Sequence, residues 1–232
     1  MTIGGLQKNS LIDYPGKLSS VIFYSGCNFD CPYCHNPELA KGCLNHTADL
    51  DTVKICDFLK QRQEFLDGVV VSGGEPTLQK DLVDLCARIK KLGYPVKLDT
   101  NGSRPQVLLE LIKKELIDYI AMDLKTEPVL YAAYIKGDCK PDPLISSIGI
   151  IMASGIDYEF RTTCVKPLVT SQVIENISRL IQGANLYVLQ RFRNNGVLHP
   201  EFFRDCDYEF SNDELLQLKT VAEKWVGECI IR

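Results

Sequence analysis

The chain has 232 residues, of which 45% are hydrophobic and 24% charged, and its net charge is −4. Those values suit a globular domain with a sizeable core, and the absence of a dominant Lys/Arg cluster argues against a sequence-independent nucleic-acid binder. The opening MTIGGLQKNSLIDYPGK lacks the apolar core of a signal peptide, and no apolar run approaches the roughly 20 residues that span a bilayer, so a cytoplasmic protein with no membrane partner is expected.

In chain order, Asp13-Tyr14-Pro15-Gly16 reads as a turn before a first strand at 20–25 (SVIFYS). The next loop, YSGCNFDCPYCHNPE, places Cys27, Cys31 and Cys34 within eight residues. Further β-rich runs follow at 68–73, 95–100, 118–124, 157–163 and 185–191. Helical spacing appears between them, in Leu78, Leu82, Leu85, Cys86, Ile89 and Leu92, and again in Val173, Ile174, Ile177, Leu180 and Ile181. A last helix at about 211–226 opens with a capping-box pair, Ser211 and Glu214, and carries Leu215, Leu218, Ala222 and Trp225 on one stripe. There is no repeat or long linker, so residues 1–232 read as a single domain.

This alternation implies an α/β fold with a mostly parallel sheet and right-handed crossovers. Six strands fall short of a closed eight-stranded barrel, and an open, partial (β/α)6 TIM-like barrel or a doubly wound sheet both fit. In either, ligands bind where strands end. The unusual residues crowd there, in SGC, SGGEPT, DTNG, DLK and RTT. Period-two alternation puts Ile120, Met122 and Leu124 opposite Asp123 and Lys125, and Tyr158 and Phe160 opposite Glu159, Arg161 and Thr163. Charges on the inner face suit a barrel that holds a polar ligand.

Ten cysteines could suggest a disulfide framework, but such frameworks staple small domains without a core. Cys56, Cys86, Cys139, Cys164, Cys206 and Cys229 are scattered and read mostly as buried thiols. Cys27, Cys31 and Cys34 form a constellation suited to zinc or to an iron–sulfur cluster. Zinc would need a fourth ligand, for which Cys43, His35 or His46 could be recruited.

The C-x3-C-x2-C spacing, with Tyr33 before its last cysteine, resembles the signature of radical S-adenosylmethionine (radical SAM) enzymes. The resemblance implies that these three catalytic cysteines hold a 4Fe-4S cluster in a loop at 26–38. The fourth iron is left for S-adenosylmethionine, which is cleaved by one electron to a 5′-deoxyadenosyl radical. It also implies cofactor-binding roles for Tyr33, for Gly73, Gly74 and Glu75 of the GGE motif, and for Asp99, Asn101, Lys125, Arg161 and Arg193. Read from the residues alone, the Gly-Gly and Asn-Gly pairs are turns, and the charges are ion pairs.

Within that superfamily the chain is similar to the activating enzymes of glycyl radical enzymes, through D-x-P-G before the cluster loop, CPYCHNPE, D-T and D-L-K. By that resemblance Asp99, Thr100 and Asp123 hold a monovalent cation, and His35 and Asn36 support the cluster. The expected partners are a glycyl radical enzyme and a flavodoxin- or ferredoxin-type electron donor. The branch activating anaerobic ribonucleoside-triphosphate reductase is the nearest in kind. Pyruvate formate-lyase activating enzymes have a histidine close to Arg193, so this chain departs from them there. The rival readings are a radical enzyme of the same fold acting on a small molecule, and a non-enzymatic zinc or electron-transfer protein.

Overall fold

Among the residues described by the computed structural model (3–42, 50–194, 196–204 and 207–232), eight strands form one sheet whose spatial order follows the chain. Cys43, His46 and Cys206 lie outside the described residues. β1 (Ile3–Ser10) runs antiparallel to β2 (Ser19–Tyr24). β3 (Gly68–Gly73), β4 (Val96–Thr100), β5 (Tyr119–Asp123), β6 (Asp157–Cys164), β7 (Leu186–Arg191) and β8 (Glu228–Ile231) are each parallel to the strand before. Right-handed βα units laid side by side give this sequential order, that of a partial barrel. All six expected strands are present, each within a residue at either end. β1 and β8 are additions to the expected six.

The helices are α1 (Pro37–Lys41), α2 (Thr52–Lys60), α3 (Leu82–Lys91), α4 (Pro105–Lys113), α5 (Tyr131–Tyr134), α6 (Pro141–Met152), α7 (Ser171–Leu180) and α8 (Asn212–Ala222). Side-chain caps start three of them: Asp51 accepts from Lys54 N, Thr170 from Val173 N, and Ser211 from Glu214 N in a complete capping box. α8 ends at Ala222, not near 226. The peptide N–H groups of Gly183 and Gly227 bond to Trp225 O and Ala184 O, turning the chain into β8. Among the described residues no helix is long and apolar enough to cross a membrane.

Period-two alternation sorts the strand side chains as expected. Ile22, Tyr24, Val69, Val71, Leu98, Ile120, Met122, Phe160 and Leu189 face outward and pack with Leu85, Ile89, Leu108, Leu111, Ile148, Ile177 and Leu218 of the helices in one continuous core. Burying each such side chain contributes roughly 1.5–3 kcal/mol. Inside the barrel, a smaller cluster of Tyr14, Val21, Val70 and Tyr119 fills one end. The Asp13–Gly16 turn places the Tyr14 ring there, 5.8 Å from that of Tyr119. Cys86, Cys139, Cys164 and Cys229 are buried, Cys56 is half-buried, and all are free thiols.

Candidate active site

Beyond Tyr24 the chain enters the cysteine loop, which four other segments hold by their backbones. Gly26 N and Cys27 N donate to Leu39 O (2.7 Å) and Ala40 O (3.1 Å) of α1. Asp30 N donates to Ile135 O, and Asp138 N to Asn28 O. On the other side Leu198 N and His199 N donate to Cys34 O and Pro32 O, both at 3.1 Å. The fourth is the GGE segment, which follows β3. Gly74 N meets Tyr24 O at 2.8 Å and Glu75 N meets Gly26 O at 2.9 Å.

That approach explains the glycine pair. A Cβ on Gly73, whose φ is +126°, would stand 2.2 Å from Tyr24 O, and one on Gly74 would stand 2.2 Å from Gly26 O. The glycines therefore let the β3 exit press against the cysteine loop itself. Glu75 is fully buried. Its Oε1 accepts from Thr77 N (3.1 Å), the Thr77 hydroxyl and the Thr100 hydroxyl (2.8 Å), and its Oε2 from Asn101 N (2.7 Å). Burial raises its carboxyl pKa, against the lowering effect of these hydrogen bonds. Asn101 Nδ2 then donates to Asn28 Oδ1 (3.0 Å) and approaches Cys27 Sγ at 3.9 Å, linking the β4 exit to the cysteines.

The cleft these segments enclose has an empty volume of about 960 Å³, counting its open mouth. Cys27, Cys31 and Cys34 line it together with Tyr33, Glu75, Asp99, Asn101, Asp123, Lys125 and Arg161. Its floor is a chain of ion pairs across neighbouring strands. Lys97 Nζ contacts Asp99 Oδ1, while Arg161 reaches Asp99 (3.5 Å) and Asp123 (2.7 Å), and Lys125 Nζ meets Asp123 Oδ2 at 2.8 Å. Burial alone would raise the carboxyls of Asp99 and Asp123. The adjacent Arg161, with Lys97 and Lys125, outweighs it and holds both below the usual range. Burial pushes the Cys27 thiol up to about 11 and the Cys31 thiol up to about 12, so a metal must displace protons to bind there.

Three free thiols on one cleft suit an iron–sulfur cluster. Among the described residues no three His, Cys, Asp or Glu side chains are placed to hold one metal ion. His35 offers zinc little: its Nε2 faces Arg193 O at 2.6 Å and its ring stacks on Phe192.

The radical SAM superfamily profile matches residues 21–180 of this chain. The chain belongs to that superfamily. A protein of Methanocaldococcus jannaschii, provisionally named a glycyl-radical enzyme activating enzyme, is 38% identical over 99% of this chain and 95% of its own length. The pyruvate formate-lyase-activating enzyme of Clostridium pasteurianum is 32% identical over 53% of this chain and 52% of its own. Among solved structures, Streptococcus suis SuiB bound to S-adenosylmethionine shares the fold, with a TM-score of 0.68 at 14% identity, over 91% of this chain and 51% of SuiB. This protein is thus a radical SAM enzyme, and membership implies a 4Fe-4S cluster and S-adenosylmethionine.

The radical SAM cleft is lined by the residues expected to hold the cluster, S-adenosylmethionine or a cation, with the exception of Arg193. Arg193 stands outside it: the residue is exposed, its side chain is not part of the lining, and its carbonyl faces His35. From β7 the side chain that does reach the cleft is Gln190. The expected cation site of Asp99, Thr100 and Asp123 gains no support, because basic side chains already neutralise both aspartates and the Thr100 hydroxyl is donated to Glu75. Several contributors were not anticipated. Ser72 Oγ donates to Asp99 Oδ2 (3.1 Å), and the Tyr131 hydroxyl accepts from Lys125 N (2.8 Å). Lys97 could have been found, since alternation puts it on the face of Asp99.

Proposed function

We propose that this radical SAM enzyme activates a glycyl radical enzyme by removing an α-hydrogen from a glycine of the partner. The likeness to the M. jannaschii protein over 99% of the chain carries this reading. The cleft supports it, because its lining comes from the cysteine loop, α1 and the strand exits, around an open mouth. A partner's loop would itself close the mouth. Anaerobic ribonucleoside-triphosphate reductase is the partner proposed, with a flavodoxin- or ferredoxin-type protein as electron donor, all in the cytoplasm.

When bound, the cluster and S-adenosylmethionine would supply the one-electron reducing power and the hydrogen-atom-abstracting capacity that the reaction needs. Cys27, Cys31 and Cys34 would hold three irons. Lys125 and Arg161 present positive charge toward a carboxylate entering the cleft, and their aspartates fix both heads in place. The Tyr33 ring, 4% exposed and 6.0 Å from Lys125 Nζ, walls the cysteine side against water.

The test is anaerobic. Reconstituted, reduced enzyme is given S-adenosylmethionine and the reductase carrying α-deuterated glycine. The expected result is deuterium in 5′-deoxyadenosine and a glycyl radical signal on the partner, both absent with Cys31→Ala. Deoxyadenosine that gains no deuterium from any glycyl enzyme, but forms faster with a small molecule, would favour the small-molecule reading. Stoichiometric zinc in place of a four-iron cluster would overturn the radical chemistry.

A further inference from the structure

The inner face of the barrel carries four cationic side chains, Lys97, Lys125, Arg161 and Arg232, against the three carboxylates Asp99, Asp123 and Glu159. They are not equivalent. Lys125 and Arg161 line the cleft, whereas Lys97 and Arg232 approach the carboxylates from outside its lining. Arg232 takes Glu159 at 2.9 Å, and the Tyr119 hydroxyl also donates to Glu159 at 3.3 Å. Lys97 is the more enclosed, at 1% side-chain exposure, and its ammonium lies 5.9 Å from the centre of the Tyr119 ring. Its one ion-pair partner among the described residues is Asp99.

Arg161 is shared among Asp123, at 2.7 Å, Asp99, at 3.5 Å, and, more distantly, Glu159, at 3.9 Å. How that sharing falls depends on what else Asp99 has. With Lys97 on its Oδ1 and Ser72 on its Oδ2, Asp99 is satisfied, and the guanidinium remains mainly with Asp123 on the cleft wall. Without Lys97, a buried carboxylate loses its closest charge partner and draws Arg161 away.

We propose that the Lys97 ammonium is a built-in counter-cation of the cofactor site, a positioning residue that satisfies Asp99 so that Arg161 faces the cleft, and that it makes a free monovalent cation unnecessary there. A tethered charge has full occupancy at any salt concentration. Shortening the side chain to alanine opens a hole bounded by a carboxylate and the face of Tyr119, partners suited to a small bare cation. Tetramethylammonium is too bulky to fill it. Methionine would fill the hole with apolar atoms and admit no ion. The inference rests on the ion-pair network and is independent of which substrate the enzyme attacks.

The experiment uses reconstituted protein in sodium, potassium or tetramethylammonium chloride at equal ionic strength. It follows thermal melting by circular dichroism and S-adenosylmethionine binding by equilibrium dialysis, neither of which needs turnover. Wild type should melt and bind alike in the three salts. Lys97→Ala in tetramethylammonium should bind about tenfold more weakly. Sodium or potassium should restore its affinity and melting temperature along a saturable curve. Lys97→Met should lose affinity with no rescue, and Lys97→Met/Asp99→Asn should be insensitive to the cation because no carboxylate needs one. The proposal is overturned if Lys97→Ala is indifferent to the cation, if it folds in none of the salts, or if wild type itself requires sodium or potassium.

Discussion

At its closed end the barrel interior is filled by Tyr14, Val21, Val70 and Tyr119, while at its open end β3 to β7 deliver Ser72, Asp99, Asp123, Arg161 and Gln190. The first group is apolar or aromatic and makes contacts independent of any ligand. The second is charged or polar and faces an open cleft, with Arg161 paired to Asp99 and Asp123 and Ser72 hydrogen-bonded to Asp99. One strand can serve both ends because alternation fixes which face a side chain occupies, while position along the strand fixes its depth. Tyr119 and Asp123 show this on β5, sharing a face at opposite ends. Stability and chemistry are thereby separated along the barrel axis, as in closed barrels of this class.

Substitutions at the two ends should therefore part ways. The largest functional effect is expected for Gly74→Ala, whose methyl would meet Gly26 O at 2.2 Å, a backbone atom with little room to yield. The loop bearing Cys27 must shift, at a cost of about 1–3 kcal/mol. Iron content after reconstitution and deoxyadenosine formation should fall together, and a variant that loads a normal cluster would break the link between the GGE segment and the cysteine loop. At the other end, Tyr14→Ala removes a buried ring and should cost about 3 kcal/mol by denaturant unfolding. Its affinity for S-adenosylmethionine, measured well below the melting temperature, should remain that of the wild type; a marked loss there would show that the two ends are coupled.

The smallest effect concerns pH. Asp123 has a folded-state pKa below its ordinary value of 3.8, because Arg161 and Lys125 outweigh burial. As pH falls past that ordinary value the unfolded chain takes up the proton first, so the stability contributed by the ion pairs is complete above it and declines below it. The stability difference between wild type and Asp123→Asn should accordingly be constant near neutrality and shrink only at pH values below 3.8. A difference that already narrows between pH 7 and pH 5 would contradict this assignment.

Much of this molecule can be read from its sequence, and what escaped did so for physical reasons. β2 to β7 are legible because each is a β-rich run, either continuously apolar or alternating apolar with polar residues, bounded by turn residues. β1, with two glycines in IGGLQKNS and an exposed middle, carries no such pattern and owes its strand conformation to pairing with β2. β8 is only four residues long and follows α8 so closely that Trp225 extends the helical stripe past its end. At the site, cysteine spacing and the GGE and DLK motifs are local signals, and they mark the cleft. Partners that meet through strand register are not local. Arg232 reaches Glu159 across 73 residues, and Ser72 reaches Asp99 across 27. Arg193 lies outside the lining for the converse reason: it is past the end of β7, where alternation no longer says which way a side chain points.

The aromatic plug behind Tyr14 has a consequence for the order of events. With that end of the barrel filled, the mouth at the strand exits is the doorway through which cofactor would enter and spent fragments would leave. Any substrate large enough to cover that doorway also traps what was made behind it. Release must then wait for the substrate to withdraw, so each cycle includes a full association and dissociation, and an excess of tightly held substrate would slow the enzyme.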